Sequence, residues 1–62
     1  MTHDQLTAMH KSLISRADEL RELAKLCHAR GDASGMTSAN AGYSVVVSLC
    51  DAIKAAIEVT PR

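Results

Sequence analysis

Histidine and cysteine are the residues of this chain whose chemistry could be specific, because imidazoles and thiolates bind metal ions and act as bases and nucleophiles. His3 and His10 stand seven residues apart, which on a helix places them about 10 Å from each other, too far for both to ligate one ion. Cys27 and His28 are adjacent and would point about 100° apart. A zinc site would therefore need ligands from more than one chain, and we predict no metal site.

Nucleophilic catalysis is the other chemistry that these residue types allow. A pair formed by Cys50 and His28 would need an orienting acid and an oxyanion site, and the spacing of the sequence supplies neither. The sequence contains no glycine-rich phosphate loop, no HExxH metal motif and no serine elbow. A chain of 62 residues is also too short to enclose a ligand pocket of the usual ~300–1,000 Å³. We therefore predict a protein without enzymatic activity and without a cofactor.

The composition narrows the class of protein further. Seven basic residues balance seven acidic ones, whereas nucleic-acid-binding domains usually carry a basic excess. Hydrophobic residues make up 47 % of the chain and Tyr43 is the single aromatic residue, which favours helices around a thin aliphatic core. No apolar signal segment follows Met1, so we expect a cytoplasmic protein with reduced thiols and no membrane association.

The first half of the chain has the pattern of one long amphipathic helix over residues 3–30. Thr2 and Gln5 have the spacing of a capping box, and Gly31 is the usual residue for a left-handed C-cap. Apolar residues recur at spacings of three and four, which predicts a single stripe. The stripe consists of Leu6, Met9, Leu13, Ala17, Leu20, Ala24 and Cys27.

The second half predicts a loop over residues 31–37 and a helix over residues 38–59. Two glycines and small polar residues mark the loop, and a hydroxyl residue at position 37 or 38 would cap the helix. Thr60 and Pro61 would end it. The valine-rich segment over residues 43–49 alternates as a strand would, so a strand is the alternative there. Helix is favoured, because a lone strand would have no partner in a chain whose first half is helical.

Together these patterns predict an all-α protein whose single domain, residues 1–62, is an antiparallel two-helix hairpin. Two helices cannot surround a core, so part of the apolar surface would stay uncovered. A homodimer forming a four-helix bundle is the simplest remedy, because one self-complementary surface suffices. The residues predicted for the dimer core are Leu6, Met9, Leu13, Leu20, Ala24, Val46, Leu49, Ile53 and Ile57.

An uncharged window extends from Ala33 to Cys50. A helix that faces water would ordinarily carry charge over such a length. The window is also too polar for a membrane span, because it contains several serines and threonines. We therefore expect another chain to cover the loop and the first half of the second helix, either a second copy or a foreign partner. The surface predicted for a foreign partner is formed by Ile14, Arg16, Arg21, Met36, Tyr43 and Val47.

Two functions fit this architecture. The first is a small regulatory protein, of a size and style typical of phage and mobile-element accessory factors, that binds a larger host protein and occludes or adapts it. The second is RNA binding, because in length and hairpin plan the chain resembles the plasmid-encoded Rop-type regulators, whose four-helix bundle binds paired RNA loops. That resemblance covers architecture only. It transfers no functional residues, and acidic side chains interrupt the basic residues of the first helix.

Overall fold

The computed structural model describes all 62 residues and contains two α-helices, α1 (His3–Arg30) and α2 (Ala33–Val59), packed against each other. The all-helical hairpin that the sequence predicts is confirmed. Residues 43–49 lie inside α2, so the strand alternative is wrong. A lone strand would leave its backbone groups without partners, because the remainder of the chain is helical.

Local hydrogen bonds close both ends of α1. The Thr2 hydroxyl accepts a hydrogen bond from the Gln5 N–H at 3.1 Å, and the Gln5 side chain accepts one from the Thr2 N–H at 2.9 Å, which completes the capping box. At the other end Gly31 adopts a left-handed conformation with φ 72°. This conformation lets the Asp32 N–H donate to the carbonyl of Cys27 at 2.8 Å, so an otherwise unpaired carbonyl of the last turn is satisfied.

The second helix begins earlier than the sequence predicts. α2 starts at Ala33 rather than near residue 38, so the predicted loop over residues 31–37 shrinks to two residues. The N-cap is Asp32, whose carboxylate accepts a hydrogen bond from the Gly35 N–H at 2.9 Å. The prediction was wrong because it treated the two glycines as loop signals, whereas the aspartate cap outweighs the weak helix propensity of one glycine in the first turn.

At Gly35, in that first turn, the N-cap carboxylate and the neighbouring helix together leave no room for a side chain. A Cβ atom at this position would stand 2.8 Å from the Cys27 Sγ atom and would also collide with the Asp32 carboxylate. Cys27 itself is buried, so its sulfur cannot move away freely. The close approach of α2 to the end of α1 therefore depends on a missing side chain.

We expect Gly35→Ala to destabilise the hairpin although alanine is the better helix former. The gain in helix propensity is about 1 kcal/mol, and the overpacking against Cys27 should exceed it, for a net loss of about 1–2 kcal/mol. Urea denaturation followed by circular dichroism measures this loss. The double variant with Cys27→Ala should lose about 1 kcal/mol less than the sum of the single variants. Additive effects would contradict the contact.

A heptad pattern governs the contact between the helices along their whole length. Every position of the heptad that faces the other helix, called here the seam, is buried or half-buried. Only five residues outside the seam are not exposed to solvent, so the two helices bury one narrow strip each. The seam consists of His3, Leu6, His10, Leu13, Ala17, Leu20, Ala24 and Cys27 on α1, of Met36, Ala39, Tyr43, Val46, Cys50, Ile53 and Ile57 on α2, and of the α2 C-cap Thr60.

Two observed approaches fix the register of the antiparallel pair. The Leu20 methyl groups lie 3.4 and 3.5 Å from the place of a Cβ atom at Gly42, and Cys27 lies against Gly35. Extending this register along both helices pairs the seam residues in eight layers. The layers are His3–Thr60, Leu6–Ile57, His10–Ile53, Leu13–Cys50, Ala17–Val46, Leu20–Tyr43, Ala24–Ala39 and Cys27–Met36.

Candidate interaction surface

The register between the helices determines how far apart the cysteine and histidine side chains lie. Cys50 is level with Leu13, which places it about 20 Å along the hairpin from Cys27, so the two thiols cannot form a disulfide within one chain. His3 and His10 both lie in the seam near the open end of the hairpin. No three histidine, cysteine, aspartate or glutamate side chains come together in an arrangement that could hold a metal ion.

The largest concavity is a notch of about 890 Å³ at the open end, between the two chain termini. Residues 1–4 and 60–62 and Thr7 line it, and only one of these lining residues is hydrophobic. The notch is a gap between the chain ends, open to solvent, and not an enclosed pocket of the kind that excludes water from a reaction. The informative features of the molecule are therefore its surfaces.

The hairpin has two broad faces, one on each side of the seam. In an antiparallel pair, heptad positions g and c of both helices lie on the same side, and positions e and b lie on the other. The places of Gly35 and Gly42 beside Cys27 and Leu20 agree with this arrangement. The g and c side, called here the apolar face, consists of Gln5, Met9, Ser12, Arg16, Glu19, Leu23, Leu26 and Arg30 on α1 and of Gly35, Ser38, Gly42, Val45, Leu49, Ala52, Ala56 and Val59 on α2.

The opposite side, called here the charged face, has a different composition. It holds most of the charged side chains of the two helices, including all three of α2. Only three charged residues lie on the apolar face, and two of them, Arg16 and Glu19, neutralise each other in an ion pair of 3.0 Å. The charged face consists of Asp4, Thr7, Lys11, Ile14, Asp18, Arg21, Lys25 and His28 on α1 and of Thr37, Asn40, Ser44, Val47, Asp51, Lys54 and Glu58 on α2.

The exposed large hydrophobic side chains are concentrated on the apolar face. Val45 is 60 % exposed there and Leu49 is 48 % exposed, and three further members share this property, whereas Ile14 is the one such residue on the charged face. Singly scattered exposed apolar residues are normal in proteins, but five on the same side of a small chain point to an interaction site. The three further members are Leu23, Leu26 and Val59.

The solvent-accessible area of the chain shows how much more surface it exposes than a compact monomer of the same mass. The chain exposes 4528 Å², whereas a compact monomer of 6.6 kDa would expose only about 3,900 Å². Only five of the 62 residues are buried, and the molecule extends over 47 × 14 × 12 Å. The excess of roughly 600 Å² approaches the ~800 Å² that each partner buries in a standard protein interface.

The residues predicted for the dimer core lie partly on the apolar face and partly in the seam. Met9 and Leu49 lie on the apolar face, at the edge of the seam. The other seven lie in the seam between α1 and α2 of the same chain, where most of them stay half-exposed. These seven are Leu6, Leu13, Leu20, Ala24, Val46, Ile53 and Ile57.

The residues predicted for a foreign partner are also divided. Ile14, Arg21 and Val47 share the charged face, where Ile14 and Val47 are nearly level with each other. Arg16 lies on the apolar face and is paired with a glutamate. The remaining two, Met36 and Tyr43, are half-buried seam residues, so the structure does not assemble the six into one surface.

The sequence-based prediction did not place Leu23, Leu26 and Val45 on a common surface. Their apolar character was visible, but their common side is defined only by the register between the helices. That register depends on the short connection, which the glycine-rich appearance of residues 31–37 concealed. An aspartate three residues before a glycine, read as an N-cap, is the signal that could have revealed it.

The cations of α1 do not form a basic ridge. Lys25 pairs with Glu22 at 3.1 Å and Arg16 pairs with Glu19, and on the charged face the four lysine and arginine residues are balanced by four carboxylates. A surface that follows phosphates needs an excess of cations on one side. The side-chain arrangement therefore offers no specific support for the RNA alternative.

Neither helix contains a stretch that is long and apolar enough to cross a membrane.

Comparison of the chain with models of protein families, with curated proteins and with solved structures finds no significant match.

Proposed function

We propose that this protein is a non-enzymatic interaction module, a homodimeric helical hairpin that binds a larger protein and occludes or adapts it. The observation that carries the proposal is the row of exposed leucine and valine side chains on one side of a chain that is otherwise fully helical and capped. Such a row is unfavourable in water and is stabilised when another chain covers it.

The uncovered area supports the self-association within this proposal. A second copy is the partner that is always present at equal concentration, and a symmetric dimer needs only one suitable surface. Covering the apolar face would complete a four-helix bundle, because the half-exposed seam residues would then have neighbours on a third and a fourth helix.

The charged face would remain outward in such a dimer and supplies the surface for the larger protein. Ile14 is 45 % exposed and nearly level with the half-buried Val47, so the two form a small apolar centre. Arg21, Asp18 and other charged residues surround this centre. An apolar centre with a charged rim is the usual composition of a protein-binding surface.

The proposal is tested by solution mass and by capture from a lysate. Sedimentation equilibrium of the purified chain should give twice its 6.6 kDa mass at micromolar concentration. The tagged dimer should retain one protein through high-salt washes and nuclease treatment, and Ile14→Asp should lose this protein while keeping the dimer mass. Ser15→Asp, on the outer side of α1, is the matched control.

Two outcomes would contradict the proposed function. A monomeric mass at all concentrations would remove the homodimer. Capture of RNA that is released by about 200 mM salt, without a retained protein, would favour the Rop-type alternative, because phosphate contacts weaken steeply with salt.

A further inference from the structure

We propose that a second copy of this chain covers the apolar face end over end, so that the twofold axis crosses the helices at right angles near Val45. This inference rests on the proposed function, because it specifies the geometry of its homodimer. In this arrangement α1 lies antiparallel to α1 of the second copy, and α2 lies antiparallel to α2 of the second copy. The order of side chains along the two rows of the apolar face supports this arrangement.

The area argues for a second copy as the occupant. The uncovered excess of roughly 600 Å² is close to the ~800 Å² per partner of a standard interface. The face is as long as the hairpin itself, 47 Å, and two helices wide. A partner of the same length and width covers it completely, and a second hairpin has these dimensions.

On α1, the residues of the apolar face pair favourably with the same residues of a second copy that runs in the opposite direction. Turning the row end over end places Arg16 opposite Glu19 of the second copy, and the twofold axis repeats this pair. Met9 then faces Leu26 of the second copy, so that apolar residues meet. Gln5 faces Arg30, and the small Ser12 faces the larger Leu23. Every position of the row meets a partner of matching polarity or complementary size.

The row of α2 is complementary to itself about the same level. The reversal places the half-exposed Leu49 opposite Gly42 of the second copy, which has no side chain to oppose it. Val45, 60 % exposed in the single chain, lies on the axis and meets its own copy. Ala52 faces Ser38, so small side chains lie beyond Val45 and Leu49 and allow the two α2 helices to approach there.

The other twofold arrangement, with both loops at the same end, lacks this complementarity. It would lay α1 on α2 of the second copy and place Arg16 and Glu19 against its Val45 and Leu49. Desolvating a charged pair against aliphatic side chains is unfavourable compared with pairing it with the opposite charges of a neighbour. The end-over-end arrangement is therefore the one that the surface specifies.

A disulfide trap tests the geometry. In a Cys27→Ala, Cys50→Ala background, Val45→Cys places one thiol of each chain on the axis, where air or diamide oxidation should give a covalent dimer in most of the material. Ile14→Cys, in the same background, stays monomeric on a non-reducing gel because the charged face points outward. Sedimentation of the reduced background variant, compared with the natural chain, verifies that the dimer persists.

The outcomes separate the two proposals. If the natural chain is a dimer and Val45→Cys does not cross-link, the end-over-end geometry is wrong and the homodimer stands. If the natural chain is monomeric throughout, the homodimer of the proposed function fails, and this inference fails with it. Efficient cross-linking through Ile14→Cys instead of Val45→Cys would move the interface to the charged face.

Charge reversal gives a second test that leaves the cysteines and the core unchanged. Arg16→Glu and Glu19→Arg should each weaken dimerisation about tenfold or more, because like charges then face each other across the axis. The double variant should restore the dissociation constant to within about threefold. The loss of the exposed ion pair within α1 affects single chain and dimer alike, so it cannot mimic this result. Failure of the double variant to restore association would overturn the arrangement.

Discussion

Replacing Leu49 by aspartate should convert the dimer into folded monomers. Leu49 is 48 % exposed on the apolar face of the single chain, so the substitution leaves the hairpin intact but places a carboxylate in the proposed interface. An uncompensated buried charge costs about 3 kcal/mol or more, and this cost corresponds to a dissociation constant raised at least about 100-fold. Analytical ultracentrifugation over a concentration series measures this change, and circular dichroism verifies that the helices persist.

Ile14→Asp is the matched control, because Ile14 is 45 % exposed on the charged face. Its substitution by the same residue should change the dissociation constant by no more than about threefold. Equal effects of the two substitutions would mean that association does not distinguish the faces. Loss of helicity in the Leu49 variant would instead assign this side chain to the fold of the hairpin.

Leu20→Ala should be the most damaging truncation within one chain. Leu20 is buried to 8 % exposure, and its methyl groups pack over the backbone of α2 at Gly42. Removal of a buried leucine costs about 3 kcal/mol, while the whole free energy of unfolding of a chain of this length is about 3–9 kcal/mol. We expect a midpoint of urea denaturation that falls by a third or more at a fixed chain concentration.

Truncation of Ile14 to alanine provides the comparison for that loss. Its side chain has a similar volume but is nearly half exposed, so Ile14→Ala should cost less than about 1 kcal/mol. A Leu20 variant that unfolds at the same denaturant concentration as the natural chain would contradict the assignment of this residue to the core. In that case the interhelical contact at Gly42 would not be a main source of stability.

The all-helical class and the bounds of α1 can be predicted from the sequence alone. The recurrence of apolar residues every three and four positions, with Thr2 before it and Gly31 after it, defined α1 from His3 to Arg30. These signals are local, since periodicity, capping and a left-handed glycine act within a few residues of one another. The same locality explains why the presence of a second helix and its end near Thr60 could be read from the sequence.

The start of α2 and the set of residues that share a face depend on contacts between the two helices. The N-cap at Asp32 and the packing of Cys27 against Gly35 set the register between the helices, and a shift by one residue would turn other side chains outward. Leu23 on α1 and Val45 on α2 share a face only in this register. Periodicity fixes the stripe of each helix, but the relative placement of two stripes depends on contacts between residues distant in the chain.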